Sequence, residues 1–313
     1  MSIYKIHHIT KYLYNSEVFE SANQIKIFPF PKEGQDILSQ EIKITGNPVL
    51  NHFFDYWGNG TAYFTLNPAH EELVIDSRLI VRTIAQDIDE SKSKIEDWEQ
   101  LTSLKSKDIM LFDYSIIEKI EHQEIIDAII EELGLSELPP IQTAKIANQY
   151  IFENYKYVKG ITTIETTVDE IIQLKSGVCQ DFAHLLLHIF RTLGLPARYV
   201  SGYICPNKSG MRGEGATHAW VDVYLPNLGW IGLDPTNNCY ANVNHIQLAV
   251  GRDFADCTPI KGVFKGSANQ DLLVYVSVGY EDGSVFEDTT TVLMQKEQSL
   301  IPPEIILQQH QQQ

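Results

Sequence analysis

The sequence predicts an α+β protein: an N-terminal β-sandwich-like domain, then a core of helices packed on an antiparallel sheet. Three observations carry this. Residues 1 to about 85 alternate apolar and polar side chains and are punctuated by turn residues. Residues 114 to 193 show the helical period instead, and after them the period-two texture returns and runs to about residue 294. Strands, then helices, then strands within one chain describe segregated α and β layers.

Length and composition bound what such a protein can be. A chain of 313 residues is long enough for two domains, each with a core of its own. Its 43% hydrophobic and 21% charged residues are those of a folded globular protein. A net charge of -17 argues against nucleic acid or an anionic membrane as partner, since both need basic patches. The four cysteines, Cys179, Cys205, Cys239 and Cys257, form no C-x-x-C pair and no disulfide framework. The opening "MSIYKIHHITKYLYN" lacks the continuous apolar run of a signal peptide, and no stretch has the length of a membrane-spanning helix. A reduced, cytoplasmic protein is expected.

In the first domain, "YKIHHITKYLY", "ANQIKIF", "LSQEIKIT", "FTL" and "ELVIDSRLIVRT" read as strands, separated by "PFPKEGQD", "TGNP", "DYWGNG" and "NPAH". His7, His8, His52 and His70 are scattered among them without ligand spacing. Residues 86–113 turn polar and read as a linker or extension. The core is then expected over 114–295. Its first helix carries Ile125, Ile126, Ile129, Ile130 and Leu133 on one face and ends at Gly134. "IQTAKIANQYIFENY" is the second helix, and "TVDEIIQLKSG" the third, opened by Thr167 and Glu170 in capping-box spacing.

The fourth helix follows "SGVC". Phe182, Leu185, Leu186, Ile189, Phe190 and Leu193 form a broad apolar stripe, closed by Gly194 and Pro196. Cys179 therefore opens a buried central helix, where unpaired N–H groups and the helix dipole favour an anion. That is where a thiolate nucleophile is made, although a small buried cysteine also fits there.

Strands follow. In "THAWVDVYL", Ala219, Val221, Val223 and Leu225 form the apolar face, and His218, Trp220, Asp222 and Tyr224 point the other way. "GWIGLDPTN" pairs with it through "PNLG". An odd effective loop puts His218 and Asp234 on one face, and an even one separates them, leaving Asp222 as the rival acid. Thiolate, imidazole and orienting carboxylate make a complete nucleophilic set. Other groups have plainer readings. Asp181 suits a cap or a buried pair, and Trp220 and Trp230 either wall a cleft or fill the core. His184 and His188 have zinc spacing on a helix but lack the glutamate of H-E-x-x-H, so no metal is expected. No glycine-rich phosphate loop implies a nucleotide cofactor.

The segments "SGVCQDFAHLLLHIFRTLGLPARYVSGY", "THAWVDVYLPNLGWIGLDPTNN" and "AVGRDFADCTPIKGVFKG" strongly resemble the bacterial transglutaminase-like family of cysteine proteases. "FFDYWGNGTAYFTL" and "HEELVIDSRLIVRT" resemble that family's N-terminal β-domain, so the likeness spans most of residues 1 to 280. It implies a papain-like core, with the nucleophile carried onto Cys179, the base onto His218 and the orienting acid onto Asp234. The implied reaction is thiol-dependent acyl chemistry on a peptide or protein amide, with hydrolysis by a peptidase or amidase as the first reading. A protein-glutamine transglutaminase and a non-catalytic binding protein are the alternatives. Residues 245 to 294 are expected to add hairpin strands to the core sheet, and the tail 296–313 to be disordered.

Overall fold

In the computed structural model, which describes residues 1–205, 211–213, 217–280 and 285–292, one strand of 24 residues organises the N-terminal domain. The expected tail lies outside the described residues. The two strands expected at the start are a single bent one, β1 (Ser2–Ile25). Its register shifts after Leu13 and again after Phe19, and Glu20 takes a positive φ of 45°, so the ribbon turns without breaking. β2 (Gln35–Ile44), β3 (Asn51–Phe54), β4 (Gly60–Leu66) and β5 (His70–Thr83) follow. The first half of β1 pairs with β5 and the second with β4, while β2 and β3 flank these partners, all antiparallel. Tyr4, Tyr12, Leu73, Ile75 and Val81 are the inward residues of this alternation.

The polar stretch 86–113 is not a bare linker. It folds into α1 (Asp97–Lys105) and α2 (Ile109–Asp113), and Leu101 enters the core cluster of the second domain. Trp98 Nε1 donates to the Leu138 carbonyl at 2.9 Å, and Lys105 Nζ to that of Gly194 at 2.7 Å. Composition hid these helices because so few of their residues bury. α3 (Gln123–Glu132), α4 (Pro140–Asn154), the short β6 (Lys156–Tyr157), α5 (Val168–Leu174), the short β7 (Ser176–Gly177) and α6 (Cys179–Thr192) complete the helical layer. Gly134 adopts the left-handed conformation that ends α3, and the Thr167–Glu170 capping box opens α5, as the sequence predicts. Among the described residues no helix is long and apolar enough to cross a membrane.

α6 packs its expected stripe against a five-stranded antiparallel sheet. The strands are β8 (Ala197–Ile204), β9 (Thr217–Leu225), β10 (Gly229–Asp234), β11 (Cys239–Tyr240) and β12 (His245–Gly251), in the order β11-β10-β9-β8-β12. The chain then runs through α7 (Phe254–Cys257), β13 (Ile260–Lys265), β14 (Gln270–Tyr280) and β15 (Val285–Val292). Of the strands expected to extend the core sheet, only β12 does so. β13 and β14 pair with β1, and β15 pairs with β14, so the chain returns to the N-terminal domain. Leu272, Val274, Val276 and Val278 bury against that domain's core. Period two identifies a strand but not the sheet that accepts it.

β12 is the edge of the core sheet, and two N-terminal side chains close it. Gln35 Oε1 accepts the Gln247 N–H at 2.8 Å while Gln35 Nε2 donates to the Gln247 carbonyl at 2.9 Å. Asn59 treats Val250 in the same way, at 2.7 and 2.8 Å. Each amide replaces one peptide unit of a missing neighbour strand. Replacing Asn59 by alanine orphans a buried donor and a buried acceptor. A loss of about 2–4 kcal/mol in urea unfolding, with little change in m, is the expected outcome. A loss below about 0.5 kcal/mol would mean that water takes the place of the amide.

Candidate active site

Each element delivers one group. Val178 precedes α6 in an extended conformation, and Cys179 is the first helical residue, half-buried. Asp181 makes this start. Its Oδ2 accepts the Val178 N–H and the Thr162 hydroxyl, both at 2.7 Å, which gives it the capping role its position suggested. Burial raises the Asp181 pKa against the lowering effect of those two bonds. Gly177 is required because a Cβ there would stand 2.6 Å from Asp181 Oδ2.

The hairpin settles the parity. Leu225 pairs with Gly229, so the loop holds three residues, with Asn227 at a φ of 64°. Gly232 then faces Asp222 and Leu233 faces Val221. One step on, Asp234 lies across from Trp220 and diagonal to His218, on the same face. His218 Nε2 is 2.8 Å from Asp234 Oδ2, and both side chains are wholly buried. Because a carboxylate only accepts, Nε2 carries the proton of this bond. Nδ1 has no hydrogen bond of standard geometry among the described residues. It is the nitrogen that the Asp234 bond leaves over, and Cys179 stands near enough to the ring to favour its protonated form. The structure therefore brings Cys179, His218 and Asp234 together.

Asp222 shares that face but is committed elsewhere. Arg198 Nε and Nη2 grip its Oδ2 at 3.1 and 2.9 Å across the β8–β9 pair. Trp220 is buried behind the imidazole, stacked on His218 with ring centroids 6.3 Å apart. Gly202, opposite His218, makes room for it, since a Cβ there would meet the Ile246 carbonyl at 2.1 Å and the Trp220 ring at 2.6 Å. Trp230 lies under the Arg198 guanidinium at 4.2 Å. His184 and His188 do not converge: His184 Nε2 accepts the Phe254 N–H, and His188 Nε2 donates to Gln123 Oε1. Of the N-terminal histidines, His7 pairs with Asp76, His8 bonds Tyr203, His52 packs on Phe28 and His70 bonds the Pro68 carbonyl.

Three further residues meet Asp234, none of them singled out in the sequence. Thr236 N and Asn237 N donate to its Oδ1 at 2.9 and 3.2 Å, and Asn237 Nδ2 donates to Oδ2 at 2.8 Å. The signal for these was local, an aspartate followed by Pro-Thr-Asn in Asx-turn spacing. His245 Nε2 stands 3.0 Å from the same Oδ2. Burial disfavours the Asp234 anion, but the two imidazoles overrule it and hold the carboxyl far below its usual range. Burial likewise lowers the pKa of His218, and Asp234 with Cys179 more than reverses this, raising it well above the ordinary histidine value. His218, Asp234 and His245 lie close enough to bracket a metal ion. Both Nε2–H groups point at one carboxylate oxygen, however, and His245 Nδ1 accepts the Asn242 N–H at 3.2 Å, so the cluster is committed to hydrogen bonds.

Comparison with known proteins bears on this geometry. The family model described as the transglutaminase-like superfamily matches residues 127–235, and the bacterial transglutaminase-like N-terminal region matches residues 4–82. An uncharacterized protein of Mycobacterium tuberculosis is 31% identical over 290 residues, covering 88% of this chain and 92% of that protein. A protein-glutamine gamma-glutamyltransferase of Pseudomonas aeruginosa is 30% identical over 105 residues, covering 31% of this chain and 16% of its own length. The crystal structure of a proposed cysteine protease from Cytophaga hutchinsonii superposes with a TM-score of 0.71 at 20% identity, covering 95% of this chain and 94% of that one.

Proposed function

Because the chain belongs to the transglutaminase-like superfamily, with the bacterial transglutaminase-like N-terminal region ahead of its core, we propose that it is an enzyme performing thiol-dependent acyl chemistry on amides. The observation that carries this is the buried His218–Asp234 pair at 2.8 Å, with Cys179 near enough to favour the protonated ring and Nδ1 left over from the Asp234 bond. In this reading the Cys179 thiolate attacks the amide carbonyl carbon. The oxyanion that forms is held in part by the Cys179 backbone N–H at the start of α6. His218 then gives its Nδ1 proton to the departing nitrogen as the C–N bond breaks, leaving a thioester. A water molecule, losing its proton to His218, attacks the thioester and frees the acid and the thiolate. Asp234 keeps the ring in the tautomer that makes Nδ1 the working atom.

Hydrolysis by a peptidase or amidase is the preferred outcome, since it needs only water, whereas transfer needs a second site that excludes water. The similarity to a protein-glutamine gamma-glutamyltransferase favours amine transfer as the second reading. The test is a panel of peptides and glutamine-containing proteins, with and without a primary amine, against wild type and Cys179→Ala. Ammonia or a new peptide terminus, abolished in the variant, is expected. Incorporation of the amine in its place would establish transfer. No turnover from a protein whose thiol reacts normally would point to a binding protein.

A further inference from the structure

His245 is not used by the scheme above, yet it bonds the carboxylate oxygen that His218 bonds. Its Nε2 lies 3.0 Å from Asp234 Oδ2, and its Nδ1 accepts the Asn242 N–H, so the ring is the Nε2–H tautomer aimed at the carboxylate. It is 3% exposed and lies nearly perpendicular to the Trp220 ring, with centroids 5.2 Å apart. The titratable groups that face it are Asp234 from β10, His218 from β9 and Lys32 from the N-terminal domain. Burial lowers its pKa, and Asp234 only partly reverses this, whereas Asp234 and Cys179 raise that of His218, so His245 is the ring that more readily holds the neutral form.

The chemistry of the site gives that neutral N–H a task. Thiolate, imidazolium and carboxylate together carry one net negative charge, and Asp234 is fully buried. Such a charge persists away from water only if donors surround it. Thr236 N and Asn237 N already fix Oδ1, so the carboxylate is oriented without His245. What His245 adds is dispersal of charge at Oδ2.

We propose that His245 is a positioning residue of the reaction, an inference that rests on the proposed function: acting through Asp234, its N–H stabilises the net anionic thiolate–imidazolium–carboxylate set against taking up a proton. The strand that carries it is anchored by the N-terminal domain. Gln35 and Asn59 close the outer edge of β12, Lys32 Nζ donates to Gln247 Oε1 at 3.3 Å, and Thr83 donates to the Val243 carbonyl at 2.8 Å just before it. The N-terminal domain thereby sets where the second imidazole stands.

The test is the rate of Cys179 alkylation by iodoacetamide from about pH 5 to about pH 9. His245→Leu fills the space without a donor, while His245→Gln restores an N–H. In His245→Leu the acid limb should move to higher pH, and the rate at pH 6 should fall about three- to tenfold. His245→Gln should stay within about twofold of wild type. A purely structural role would lower the melting point of both variants and leave the limb in place. A folded His245→Leu with the wild-type profile overturns the proposal, as does equal loss in the two variants. Should His245→Leu not fold, nitrogen-15 NMR of the wild type decides: His245 must remain the neutral Nε2–H tautomer across this range. A protonated ring or an Nδ1–H tautomer there overturns it too. Alkylation uses no amide substrate, so a protein that shows the shift but turns over no amide would refute the proposed function and keep only the effect of His245 on the thiolate, whereas amide turnover without the shift would overturn the His245 proposal alone.

Discussion

Iodoacetamide at about pH 6 is expected to modify Cys179 well before the other three cysteines of the native protein. An ordinary thiol with a pKa of about 8.5 is ionised to roughly one part in three hundred at that pH. Cys205 and Cys257 are buried, and burial pushes both thiols well up. Cys239 is the informative control, because it is half-buried like Cys179. Burial, and then the charge of Asp234, raise its thiol to about 12. Cys179 instead stands at the start of α6 beside an imidazole whose proton is held by Asp234. His218→Ala removes that partner and should slow Cys179 at pH 6 by at least about tenfold, leaving only the helix contribution of about 1 kcal/mol. Mass spectrometry of timed samples reads the outcome, with a small neutral probe to confirm access. Equal rates for Cys179 and Cys239 would falsify the activated nucleophile.

Asp234→Asn, although isosteric, should cost most of the activity. Thr236 N and Asn237 N both donate to Oδ1, so an asparagine must place its carbonyl oxygen there. Its NH2 then faces the N–H groups of His218, His245 and Asn237, three donors against a donor. His218 can relieve its part of this only by accepting at Nε2, which moves the proton to Nδ1 and removes the base that the thiol needs. A fall of about 10^3- to 10^4-fold in amide turnover is expected, the scale on which a misassigned tautomer acts in other nucleophile–histidine–aspartate sites.

Stability of the Asp234→Asn variant should carry the same signature. The folded Asp234 pKa is depressed, so its contribution is present above the unfolded value of about 3.9 and is lost as pH falls through the folded one. The folded His218 pKa is raised, so its contribution is full below the unfolded value of about 6.5 and is lost as pH rises through the folded one. The melting gap between wild type and Asp234→Asn should therefore be widest between about pH 4 and 6.5. A gap that does not vary with pH would mean that the pair is not ionic.

Much of this protein was legible in the sequence by itself. The stripe from Phe182 to Phe190 identified a buried helix, and the residues before it put Cys179 at its start, because helical period and capping are properties of neighbours in the chain. The alternation in 217–225 placed His218 and Asp222 on one face for the same reason. What the sequence could not decide depended on register and on partners far along the chain. The choice of Asp234 over Asp222 turned on a three-residue loop and on Arg198, which takes Asp222 from the neighbouring strand. Gln35 meets Gln247 across 212 residues, and β14 pairs with β1 rather than with the core sheet. His245 reaches Asp234 only because β12 lies against β8, with β8 and β9 between it and β10. Periodicity says which face a side chain takes; only the assembled sheet, where pairing and buried donors must all be satisfied at once, says which side chain it meets there.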